Sequence, residues 1–116
     1  MTDMTLTEFL TARLDEDERV ASGLMGATRF VGSEPDFTGR GGPAAHEFWQ
    51  RFDPAYVLAG IAAKRQIIAE HDTVNWQPGD RVHDCQWERP WPCPTLRLLA
   101  VVYDQHPHYD ETWRPA

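Results

Sequence analysis

Cysteine and lysine are the scarce residues of this 116-residue chain: there are two cysteines, Cys85 and Cys93, and Lys64 is the one lysine. Two cysteines cannot build the multiply bridged framework of a small secreted domain. Basic residues are also few, with 11 against 18 acidic ones and a formal net charge of −7. A surface of that sign repels a phosphate backbone, which argues against a direct nucleic-acid partner and leaves a protein partner as the expectation. Long apolar runs are missing too. The run LRLLAVVY contains Arg97 and falls far short of the roughly 20 apolar residues of a membrane span. The opening MTDMTLTEFLTARLDEDE has neither the positive start nor the apolar run of a signal peptide. The expected location is therefore cytoplasmic, where thiols stay reduced or bind metal.

What is present describes an ordinary globular chain, with 41% hydrophobic and 25% charged residues and no repeats or low-complexity segments. Its length suits a single domain, 1–116. The pattern predicts a mainly α fold: a three-helix core with central loops at 23–45 and 72–92, and a short strand or β-hairpin within those loops. Thr5 and Glu8 stand at capping-box spacing before Leu6, Phe9, Leu10 and Leu14, which share one helical face. The acidic run Asp15–Glu18 reads as a solvated face. Gly23 and Gly26 predict a helix end near residue 22, and ATRFV at 27–31 reads as a short strand. Asp53 as N-cap and Pro54 at the first helical position open a second helix to about residue 71. Before it, Phe48, Trp49 and Phe52 form an aromatic cluster of the kind that belongs to a core. QPGD at 77–80 is a turn signal, followed by an extended stretch in which His83 and Cys85 share a side. A third helix starts at Pro94 and is expected to stop before Pro107.

Four side chains have the chemistry of zinc ligands: His71 at the end of the second helix, His83, Cys85, and Cys93 at the start of the third. Imidazole and thiolate donors in a closed tetrahedron describe a structural zinc, although no Cys-x2-Cys knuckle is present. Left without metal, the two cysteines are reduced thiols. GRGGP at 39–43 lacks the Lys-Ser/Thr of a phosphate loop. Pro92-Cys93 lacks the second cysteine of a zinc-deaminase motif, since Leu96 stands there. The polar segment YDQHPHYDETW offers no nucleophile with an activating partner.

Three segments, FLTARLDEDERVA at 9–21, RFDPAYVLAGIAAKRQIIAEH at 51–71 and PCPTLRLLAVVYDQHPHYDETWRP at 92–115, together resemble a family of small uncharacterised proteins of actinobacteria and their phages. Asp53, Lys64, Arg65, Tyr103, His106, Pro107, Tyr109, Trp113 and Arg114 match its pattern. The resemblance implies a source but no activity. Within it, Tyr103, His106, Tyr109 and Trp113 form the candidate interaction surface. Two functions are compatible with these residues: a non-catalytic interaction or regulatory module, with or without a structural zinc, and a metal-dependent enzyme built on the His/Cys set.

Overall fold

The structure, a computed structural model, describes residues 4–31, 42–77, 80–85, 87 and 91–115, with the side chains of 25–31 and 73–82 outside the description. In chain order these form α1 (Leu6–Val31), α2 (Gly42–Arg51), α3 (Pro54–His71), β1 (Thr73–Gln77), β2 (Asp80–Asp84) and α4 (Pro94–Val101), then a 3₁₀ turn at Glu111–Trp113. The fold is mainly helical with one hairpin, in which β1 and β2 pair antiparallel with Gln77 opposite Asp80. None of these helices is long and apolar enough to cross a membrane, among the described residues. The chain divides into two compact units, Met1–Leu14 with Ala63–Ala116, and Asp15–Ala62. The division falls inside α1 and inside α3.

In the first unit, the amide of Glu8 donates to the Thr5 hydroxyl at 3.1 Å, satisfying one of the orphan donors of the α1 start. Leu6, Phe9, Leu10 and Leu14 are all buried, as their spacing requires. Phe9 is the hub. Its ring lies 5.1 Å from Trp113, 5.6 Å from His106, 6.0 Å from Tyr109 and 6.3 Å from Tyr103, mostly edge to face. The geometry suits aromatic quadrupoles.

That convergence explains why α4 stops at Val101 rather than continuing to Pro107. Past Val101 the chain turns in threes: Tyr103 N–H donates to Ala100, Asp104 to Val101, His106 to Tyr103 and Tyr109 to His106, at 2.9–3.1 Å. Residues three apart eclipse in such turns, whereas in an α-helix a three-residue step falls about 60° short of a full turn. Tyr103, His106 and Tyr109 therefore reach one ring. Arg97 ties the arrangement to α4 by donating to the carbonyls of Pro92 (2.8 Å) and Thr112 (2.7 Å).

Asp110 caps the 3₁₀ turn, accepting from the amide of Thr112 at 2.9 Å and from its hydroxyl at 2.8 Å. These bonds hold its carboxyl below the ordinary value. Glu111 is lowered by the hydrogen bond from Arg114, which also reaches Asp104.

In the second unit, Asp53 accepts from the amide of Tyr56 at 2.9 Å, and Pro54 and Ile61 are buried. Three sequence expectations change here. Helix α1 continues through Gly23 and Gly26 and includes 27–31, where a stop and then a strand were expected. A helical glycine costs about 1 kcal/mol relative to alanine, too little to end a hydrogen-bonded helix unless it takes the left-handed cap. The stretch 23–45, expected as loop, is helical at both ends, because α2 opens at Gly42. The aromatic cluster lies on and just after α2, yet Phe48 is 65% exposed and Phe52 44%. These rings pack along the surface, Phe48 against Phe52 at 4.9 Å and Phe52 against Tyr56 at 5.3 Å. Residues four apart on helical turns meet one another without needing a core.

Two outcomes follow from this packing. Phe9→Ala should destabilise by about 3–5 kcal/mol, the usual cost of deleting a buried aromatic ring, read from denaturant unfolding. A carboxyl whose folded pKa is depressed contributes stability above its unfolded value and loses it as pH falls through the folded one. Asp110→Asn, which keeps a capping oxygen but does not titrate, should therefore lose less thermal stability than the parent chain from about pH 5 down to about pH 2.

Candidate metal centre

Three chain segments of the first unit meet at one point. Helix α3 delivers His71 from its last turn, the residue after β2 is Cys85, and Cys93 is the N-cap of α4. Each placement has a local cause. Asp53 and Pro54 set where α3 begins, the hairpin returns the chain beside the α3 end, and Pro94 makes residue 93 the last non-helical one. Cys93 has an extended backbone and forms no side-chain capping bond. Its sulfur instead stands 3.6 Å from Nδ1 of His71, and the Cys85 sulfur stands 3.5 Å from the same nitrogen. All three donor atoms lie within 4.8 Å of one another. Both cysteines have 0% exposure and neither is in a disulfide, while His71 is half-buried.

A tetrahedral zinc tests this geometry. With Zn–N near 2.05 Å and Zn–S near 2.3 Å, the nitrogen–sulfur edge of the tetrahedron is about 3.6 Å. The observed 3.5 and 3.6 Å match that edge twice. An imidazole nitrogen has one lone pair, or one hydrogen, along one in-plane direction, so it serves a single sulfur well as a hydrogen-bond partner. Two sulfurs at equal distance are the arrangement of donors sharing a central ion. The charges agree as well: two thiolates and a neutral imidazole offset a divalent cation, so the loaded site carries no net charge to bury.

His83, grouped with these ligands by sequence, lies outside the trio. Its Nδ1 is 2.8 and 3.1 Å from the two oxygens of Asp72, and an ionised carboxylate only accepts, so Nδ1 carries the hydrogen. The His83 ring stacks on Trp91 with centroids 5.0 Å apart. Asp72 and Trp91 carried no sequence signal. Yet Asp72 follows His71, His83 precedes Cys85 by two residues, and Trp91 precedes Cys93 by two. The Asp72–His83 hydrogen bond and the His83–Trp91 stack thus join the same three segments that carry the donor trio, the kind of neighbouring contact that orients ligands. The other grouped residues, Tyr103, His106, Tyr109 and Trp113, come together around Phe9, with Trp113 buried and the other three half-buried. Burial raises the Tyr109 phenol above its ordinary value.

Sulfurs this buried should be slow to react. In the native chain a bulky aromatic disulfide reagent should modify Cys85 and Cys93 far more slowly than in denaturant, where both titrate at once. Rapid native modification would contradict the burial described.

Comparison with known proteins places this geometry in context. The chain matches the model of a family of unknown function (DUF6221) over residues 3–115. No curated protein matches it, and no solved structure does.

Proposed function

The chain belongs to the family of unknown function DUF6221, and we propose that it is a non-catalytic binding module whose first unit is held together by a structural zinc ion. The observation that carries this reading is the single nitrogen of His71 set 3.5 and 3.6 Å from two fully buried sulfurs. His71, Cys85 and Cys93 would hold the ion, which would supply cross-linking of the α3 end, the hairpin exit and the α4 start. A small unit gains most from such a link, because metal binding that occurs only in the folded chain is folding free energy. Reduced thiols suit a reducing compartment, so the module is assigned to the cytoplasm, of an actinobacterium or its phage by the pattern its segments resemble.

A second reading rests on one specific feature. Among the described residues the cluster has three donors, and a three-donor zinc keeps a corner for water or substrate, as catalytic sites do. Against catalysis, Asp72 and His83, the acid–base groups beside the ligands, are engaged with each other rather than joined to the cluster.

Elemental analysis of protein purified without chelators should find one zinc per chain, and His71→Ala or Cys93→Ser should remove it. At free zinc a hundredfold above Kd the stabilisation would be about 2.7 kcal/mol, lost on chelation as a fall in melting temperature. Cobalt substitution separates the two readings: a thiolate–cobalt spectrum unmoved by azide supports the structural role, and one shifted by azide supports an open catalytic corner. Failure of both zinc and cobalt to bind would end both.

A further inference from the structure

We infer that the second unit docks a basic amphipathic helix of a partner protein in an apolar groove between α1, α2 and α3. The groove encloses about 290 Å³ and is lined from α1 by Asp17, Val20 and Leu24, from α2 and the residue after it by Trp49 and Phe52, and from α3 by Val57. Its apolar walls are far from covered: Val20 is 58% exposed and Leu24 40%. They continue outward into the exposed rings of Phe48 and Tyr56. Contiguous apolar surface of this kind marks an interaction site more often than scattered exposed side chains do. A trough between helices, with apolar residues one turn apart along its wall, fits the i, i+3/i+4 stripe of an added helix.

Charge decides which helix. Asp17 is the charged residue in the lining. Glu16 and Glu18, both exposed, flank that face of α1 at about 100° to either side, while Arg19 falls on the far face. Across residues 15–62 eight acidic residues stand against four arginines. A second copy of this chain would bring the same acidic rim and be repelled, whereas lysines or arginines along an apolar stripe would meet opposite charge. None of His71, Cys85 and Cys93 lies in this unit, so the inference stands independently of the metal.

The test uses the full chain and a fluorescein-labelled Leu/Lys peptide with helical apolar spacing, followed by anisotropy. Saturable binding is expected, weakened about tenfold or more, over 1.4 kcal/mol, by Val20→Ser/Leu24→Ser and separately by Glu16→Gln/Asp17→Asn. A Leu/Glu peptide of the same pattern should not bind, and affinity for the Leu/Lys peptide should fall as salt rises. Val20, Leu24 and Glu16 are exposed and Asp17 part-exposed, so circular dichroism should be unchanged and melting temperature should move little. If the double serine variant nonetheless unfolds, Val57→Ser on α3 serves as the apolar probe. No binding, equal binding of the Leu/Glu peptide, or binding indifferent to the apolar and the acidic substitutions overturns the proposal. So does sedimentation showing a dimer that Val20→Ser/Leu24→Ser dissociates, which would make a second copy the occupant.

Discussion

The end of α3 and the start of α4 lie 22 residues apart in the chain and meet where one imidazole nitrogen faces two sulfurs. Between them runs a hairpin whose exit residue supplies the second sulfur. Soft donors so close together and so deeply buried impose a constraint on everything around them. The hairpin must fold back on the helix it leaves, α4 must begin at Pro94, and the stacked Asp72, His83 and Trp91 must hold the three segments in register. Two thiolates without a cation would concentrate negative charge in a buried site. The zinc ion proposed above would remove that conflict and convert proximity into a bond.

Aromatic packing organises the other side of the same unit. Phe9 has no polar atom to satisfy and is surrounded by four rings drawn from one short stretch of chain. Reaching it from Tyr103, His106 and Tyr109 requires turns of three residues, so the regular helix gives way after Val101. The polar groups of the same stretch settle around that requirement: Asp110 caps the closing turn, and Arg114 bridges Glu111 and Asp104. Packing preference overrides helix propensity here, because edge contacts among several rings outweigh a few more helical hydrogen bonds.

The second unit follows a different logic. Its helices leave aromatic and aliphatic groups at the surface, rimmed by carboxylates. The two units thus differ in construction, one closed around buried donors and rings, the other open along a trough.

Local signals decided the helix starts. Thr5 with Glu8, Asp53 with Pro54, and Pro94 each act through neighbouring backbone groups, and the apolar spacing of Leu6, Phe9, Leu10 and Leu14 needed no distant partner to be read. That His71, Cys85 and Cys93 carry donor atoms was legible from residue type alone, whereas the folded chain decided that these donors meet. Only the tertiary structure decided that His83 turns to Asp72, that Phe48 and Phe52 lie outside the core, and that α1 runs on past its glycines. The first two depend on which groups meet in the folded chain; the third rests on a glycine cost of about 1 kcal/mol that is too small to stop a hydrogen-bonded helix. Periodicity assigns a face to a residue; what stands opposite that face is settled by the folded chain.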